Sequence, residues 1–268
     1  YLAAVGSYFS PNEERGVYKS TDAGLTWNKS LFVSDSTGAI DIIMDPTNPN
    51  RMMAAMWERV RRPNASHLYG PSSGIYKTSD GGTNWELIPS TAGLPDPSSG
   101  NVGRIGLAIS QSNPDIVYSL YNDGVTIISL FKSTDFGNNW VDVDPDNELQ
   151  DGASTFSWYF GQVRVHPTNP DIVFVMDVLF MRSSNSGTNW ALDYQPHVDH
   201  HAMAFHPGDP NIAILGNDGG MNISTNAGAS WGSHIQIPAT QFYEIGLDAS
   251  NPLAAYGGTQ DNGTNRTL

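Results

Sequence analysis

Three stretches of the chain gather side chains able to do chemistry. The first, "MWERVRRPNASHLYGPSSG" (56–74), sets Trp57, Glu58, Arg59, Arg61, Arg62, His67 and Tyr69 close together in a chain with only 13 Lys and Arg. Guanidinium forks bind carboxylates in pairs of hydrogen bonds and aromatic rings stack on sugars or cations, so this composition suits recognition of a carboxylate or a sugar. The second, "HVDHHAMAFHP" (197–207), brings His197, Asp199, His200 and His201 into a strand, with His201 expected on the face of Met203 and opposite His200. Imidazoles beside a carboxylate are metal-ligand types, but residues on opposite faces cannot act as a pair, and a channel-lining or structural role is the expectation. The third, "FSWYFG" (156–161), offers Trp158 and Tyr159 as a stacking platform. Single carboxylates complete the set: Asp123, Asp218 in "NDGG" and Asp261 in "QDNG" join Glu58 and Asp199 as candidates for paired acid and base.

The elements that must position these residues are legible as a repeat. "STDAGLTW" (20–27) recurs as "TSDGGTNW" (78–85), "STDFGNNW" (133–140), "SSNSGTNW" (183–190) and "STNAGASW" (224–231). A second signal travels with it, an Asn-Pro or Asp-Pro turn between two apolar runs, as in "VHPTNPDIVFVM" (165–176). One unit reads strand, turn, strand, variable loop, strand, octet, short strand. Four antiparallel strands every 41 to 58 residues is the signature of a β-propeller blade. The reading is therefore all-β, a single propeller region over 1–268 of about five four-stranded blades. It enters at a second-type strand (1–7) and leaves after another (253–259), as part of a larger propeller completed by other sequence or another chain.

Within the octet, Asp22, Asp80 and Asp135 alternate with Asn185 and Asn226, so an acceptor oxygen suffices and charge does not. The octet therefore reads as a structural turn, with Trp27, Trp85, Trp140, Trp190 and Trp231 packing over the hairpin. Function is expected on the opposite face, in the loops from second to third strand and from fourth strand to the next blade.

Those octets resemble the Asp-box, or BNR, repeat of sialidases, xyloglucanase-type glycoside hydrolases and the sortilin/Vps10 propellers. "NDGG" (217–220) and "GTQDNGT" (258–264) look most like secreted sortilin-like proteins. The resemblance implies a secreted or surface binding propeller that takes a peptide or glycan on its loop face. A xyloglucanase-like hydrolase using paired carboxylates and a protein-assembly scaffold are the alternatives. No catalytic residue transfers from any of these families, and the sialidase segment and arginine triad are missing.

Composition narrows the partners. A formal net charge of −14 opposes binding to nucleic acid or anionic lipid. The absence of cysteine removes disulfides, thiolate metal sites and thiol nucleophiles. No apolar run is long enough to span a bilayer. No cofactor or metal is assigned. "DVDPDNELQDG" (142–152) starts like a calcium loop but lacks the sixth-position Gly and twelfth-position Glu, which leaves at most a looser calcium site. Asn28, Asn64, Asn222, Asn262 and Asn265 lie in glycosylation sequons that a Ser/Thr/Asn-rich chain produces by accident.

Overall fold

A computed structural model describes residues 1–235, 240–251 and 253–267. It is all-β apart from three short 3-10 turns (Ser90–Ala92, Pro97–Ser99 and Glu148–Asp151), and it divides into two compact units, Tyr1–Asp193 and Tyr194–Leu268. In unit one, β1 (Leu2–Ala4), β2 (Gly16–Lys19) and β3 (Asn28–Leu31) form a three-stranded sheet. Three four-stranded sheets follow: β4 (Thr37–Met44), β5 (Met52–Glu58), β6 (Gly74–Thr78), β7 (Glu86–Leu87); β8 (Ile105–Ile109), β9 (Val117–Asn122), β10 (Ile127–Ser133), β11 (Val141–Asp142); and β12 (Gln162–Val165), β13 (Val173–Met176), β14 (Phe180–Ser183), β15 (Ala191–Asp193). Unit two holds β16 (His200–His206), β17 (Asp209–Asn217) and β18 (Gly220–Ser224), and then β19 (Phe242–Leu247), β20 (Ala255–Thr259) and β21 (Thr264–Arg266). Every strand pairs antiparallel with its sequence neighbour within its sheet, the blade topology expected from the repeat. The last sheet runs one strand further than the repeat pattern suggests, through β21.

Both recurrent turns close through side chains. In the connection between first and second strands, the residue before the turn accepts backbone N–H groups: Asp45 Oδ1 from Thr47 and Asn48 (2.8 and 3.1 Å), His166 Nδ1 from Thr168 and Asn169 (3.3 and 3.2 Å), Asp248 Oδ1 from Ser250 and Asn251 (2.8 and 3.3 Å). These are Asx-type caps, with the His166 imidazole serving as the acceptor in one copy.

The octet closes more tightly. Its first hydroxyl (Ser20, Thr78, Ser133, Ser183 or Ser224) accepts the N–H of the glycine four residues on at 2.7–3.1 Å. The same hydroxyl donates to the Asp or Asn oxygen at 2.7–2.9 Å. That oxygen in turn accepts the N–H four residues further along at 2.9–3.0 Å in all five copies. Where the residue is Asn, the remaining bond reverses: Asn139 Nδ2 donates to Asp135, whereas Asn185 Nδ2 donates to Asn189 Oδ1. Ala23, Phe136, Ser186 and Ala227 sit at positive φ just before the turn glycine, which is positive as well, and this explains why glycine is fixed there. Hydrogen bonds from Thr26 and Ser20 hold the Asp22 carboxyl down to about 2, and those from Asn84 and Thr78 hold Asp80 there also. The octet carboxylates thus bond within their own turns.

Asp135→Ala removes acceptors used by Ser133 Oγ and by Asn138, Asn139 and the Asn139 side chain. It is expected to cost about 2 kcal/mol in urea unfolding, with Asp135→Asn losing less than half as much because Asn185 and Asn226 close the same turn. Equal losses in the two variants would show that the charge itself matters.

The core of unit one lies between neighbouring sheets. Met53, Ile75, Ile105, Val117, Phe131 and Trp140 form one cluster, and Tyr118, Leu130, Val163, Val175 and Met181 form the next. Asp41 reaches across a sheet boundary, its Oδ2 accepting the Leu107 N–H at 3.0 Å. Among the described residues no helix is long and apolar enough to cross a membrane.

Candidate functional site

In unit one, the β5–β6 loop and the segment before β12 leave the same ends of their sheets, opposite the octets. The structure separates the residues that share the 56–74 stretch. Trp57 is buried, and its Nε1 donates to Leu68 O at 2.8 Å. The Glu58 carboxylate clamps the loop, accepting from Ser72 N and Oγ (3.0 and 2.7 Å) and contacting His67 Nε2 at 3.2 Å. Both Glu58 oxygens are thus engaged by the loop, and the His67 and Tyr69 rings lie 5.8 Å apart. Arg61 lies over the exposed Phe9 ring at 5.9 Å, and Arg62 is exposed.

Arg59 is different. It is 6% exposed, and its guanidinium carbon lies 4.5 Å from the Trp57 ring, 4.6 Å from Tyr8 and 4.5 Å from Trp158. Trp158 and Tyr159 stand on a single helical turn. Ser154 Oγ pins it to Asp177 at 2.6 Å, and Tyr159 N and Phe160 N donate to Phe156 O at 2.7 and 3.1 Å. Phe156 and Tyr159 are about half exposed, at 54% and 52%, and edge contacts among the rings (Trp158–Tyr159 at 5.7 Å, Tyr159–Phe160 at 5.0 Å) hold the platform. Arg104, just ahead of β8, donates its guanidinium to Tyr159 O, and its backbone N–H is received by Asn122 Oδ1 at 2.9 Å.

Burial lowers the Arg59 pKa; Tyr8 opposes the shift, and the nearby Arg61 and Arg104 add to it. Burial likewise lowers Arg104 and raises Asp41, which faces it. Sequence reading missed Tyr8, Phe9 and Arg104. A usable signal was present: "GSYFSPNEER" occupies the second-to-third strand loop of its sheet, the same place in the repeat as 59–73.

Asp123 does not stand as a free carboxylate, because its Oδ1 accepts the N–H groups of Val125 and Thr126, each at 2.8 Å, and builds a turn. Three of the 142–152 carboxylates make bonds of their own, while Asp144 Oδ1 is buried without a partner. Asp142 accepts from Ser129 Oγ and Asp144 N, Asp144 from Leu149 N at 3.3 Å, and Glu148 from Asn189 Nδ2 and Trp190 N at 3.1 and 2.8 Å.

In unit two, the described residues gather Asp199, Asp218 and Asp261, with carboxylate oxygens all within 4.8 Å of one another. Asp199 and Asp261 hold positive φ (67° and 58°), and His201 Nε2 meets Asp218 Oδ1 at 2.6 Å. Burial, then the Asp218 and Asp261 charges, raise the Asp199 pKa. His197 lies 6.3 Å from His234, ring to ring. The expected alternation along β16 fails locally. The register shifts between His200 and Ala202, so His200 is buried, as is Met203, while His201 is exposed. A β-bulge thus undoes the shared face expected for His201 and Met203, although His200 and His201 do point apart. Three hard oxygen donors suit calcium or magnesium, or a shared proton. Their spacing is tighter than the about 6.5–9.5 Å of an inverting acid and base pair. The Asn222 sequon in β18 is buried, its side chain bonded to Asn217 and Gly232, and so is not a glycan acceptor in the fold.

No family model matches the chain. Among curated proteins, the xyloglucanase of Hypocrea jecorina (strain QM6a) is 23% identical over 214 residues, 69% of this chain and 23% of that enzyme. Xyloglucanase Xgh74A of Acetivibrio thermocellus is 23% identical over 205 residues, 65% of this chain and 22% of that enzyme. The chain thus spans under a quarter of the length of the curated relatives it matches. Among solved structures, the GH74 xyloglucanase from Xanthomonas campestris superimposes with a TM-score of 0.62 at 19% identity, covering 91% of this chain and 39% of that one. The fold is therefore a β-propeller of antiparallel blades.

Proposed function

We propose that this chain contributes the glycan-contacting face of a carbohydrate-active propeller related to the xyloglucanases. The observation that carries this reading is the rigid aromatic platform of Phe156, Trp158 and Tyr159, exposed on the loop side of unit one beside the Trp57–Arg59 stack. Rings presented edge-fixed and half-exposed bury the apolar faces of pyranose units at little entropic cost. The distant similarity to xyloglucanases supports the same ligand class. Secretion or surface exposure goes with this reading, since a cell-wall polysaccharide such as xyloglucan lies outside cells.

Tyr159→Ala is expected to weaken binding of xyloglucan oligosaccharides by about tenfold in calorimetry. Trp27→Ala, on the octet side, should leave it unchanged. Failure of every polysaccharide in a neutral and acidic panel to bind would sink the proposal. Binding confined to peptides would instead favour the sortilin-like reading.

Hydrolysis is the second reading, favoured by the raised pKa of Asp199 beside two further carboxylates. The close spacing of the three does not by itself supply an inverting pair. Release of reducing ends that Asp199→Asn abolishes would establish the enzyme.

A further inference from the structure

Arg59 differs from four other arginines of unit one, whose terminal guanidinium nitrogens are hydrogen-bonded. Arg15 donates to the carbonyls of Ser36, Ser7 and Ser10; Arg51 pairs with Asp45 and Asp115; Arg104 bonds Tyr159 O; Arg164 bonds Val163 O and Gln162. The Arg59 side chain has neither a hydrogen-bond acceptor nor a carboxylate among the described residues; its Nε is sealed from solvent without a partner, as are those of Arg15 and Arg104, whose terminal nitrogens are bonded. Holding a guanidinium in that state is costly, and the three rings around it offset only part of the cost. Ring faces supply no hydrogen-bond acceptor to the terminal N–H groups, and a guanidinium fork fits a carboxylate in two parallel hydrogen bonds. Arg61 and Arg104 lie close enough for their charges to act on Arg59, which makes a local positive spot on a chain of net charge −14.

The geometry points to a subsite for a single carboxylate carried on a sugar ring, a uronic acid unit of the glycan, gripped by the Arg59 fork with Trp158 and Tyr159 alongside the ring. The assignment rests on the glycan reading above and names its substrate class. A pyranose carrying one carboxylate satisfies both halves of the site, the fork and the exposed platform. A densely charged polyuronide does not, because the overall negative charge repels it. The preferred ligand is thus a largely neutral glycan with isolated uronic acid substituents.

Calorimetry on the whole chain tests this with a xylo-oligosaccharide bearing one glucuronic acid, its methyl ester, a neutral xyloglucan oligosaccharide, and a peptide with a free C-terminal carboxylate. The acid is expected to bind at least about tenfold tighter than its ester, a preference that shrinks as salt is raised. Arg59→Lys, which keeps the charge and loses the fork, should bring the acid-to-ester ratio close to one while neutral oligosaccharide binding persists. Equal binding of acid and ester by the wild-type chain overturns the subsite whether or not the lysine variant folds. If the neutral oligosaccharide still binds in that case, the glycan reading survives alone; if no sugar binds, both fall. Retention of the full preference in Arg59→Lys, or tighter binding of the peptide than of the uronate, also overturns it.

Discussion

Trp140→Ala is expected to lower the unfolding free energy of unit one by about 3–5 kcal/mol, and Trp27→Ala by less than about 1 kcal/mol. The two tryptophans hold the same place in the octet and make the same local bond, Nε1 to the turn glycine's carbonyl, at 3.1 Å from Trp27 to Gly24 and 3.3 Å from Trp140 to Gly137. Only their burial differs. Trp140 is 4% exposed and belongs to the cluster with Met53, Ile88, Ile105 and Phe136, while Trp27 is 41% exposed. Removing Trp140 opens a cavity between sheets that backbone contacts keep from collapsing: Trp140 N donates to Ala92 O at 2.7 Å, and a Cβ on Gly93 would lie 2.2 Å from Trp140 O. Removing Trp27 strips a ring that water already reaches. Urea melts at neutral pH, followed by far-UV dichroism, measure both variants; comparable losses would mean that the octet bond and not the core sets the tryptophan's contribution.

That contrast marks the boundary of what the sequence could convey. Blade order and turn positions were legible because the bonds that make them are local: hydroxyl to glycine and Asx oxygen to N–H, each four residues apart. The degree to which each octet tryptophan is buried depends on the adjacent sheet, tens of residues away, and the motif is silent on it. The same division holds at the candidate site. Composition singled out Trp57, Arg59 and Trp158, but their meeting around the Arg59 guanidinium is a product of three separate loops, with Tyr8 entering from a stretch that carried no flagged residue. Asp199, Asp218 and Asp261 were each suspected singly, and only the fold sets them side by side. Glu58 and Asp123 went the other way, because a turn that needs an acceptor takes up any carboxylate within reach. The bulge in β16 was invisible because one extra residue leaves no compositional trace.

Acidification should act on the two units in opposite directions. In unit one, burial pushes the Asp144 carboxyl up from 3.8 to about 6, with backbone hydrogen bonds from Leu149 and Glu148 opposing the shift. The folded state then binds the proton more tightly than the unfolded chain. The contribution to stability is fully present below about pH 4 and is lost as the pH rises through 6, about 3 kcal/mol in all. In unit two, burial first, then the His201 and His197 charges, lower His200 from 6.5 to about 4. The folded state prefers neutral imidazole, so this contribution is present above about pH 6.5 and is lost as the pH falls through 4, again about 3 kcal/mol. The raised pKa of Asp199 returns part of that loss to unit two. Asp22 and Asp80, held at about 2, give up their contributions only below the window. Between pH 6.5 and 4, Asp144→Asn should therefore lose stability relative to wild type as the pH falls, and His200→Gln should gain. The difference curves isolate each group from the background of other acids. A wild-type minus Asp144→Asn difference that is flat across this range would mean that Asp144 is solvated in the folded chain. A flat difference for His200→Gln would mean the same for the imidazole at the head of β16.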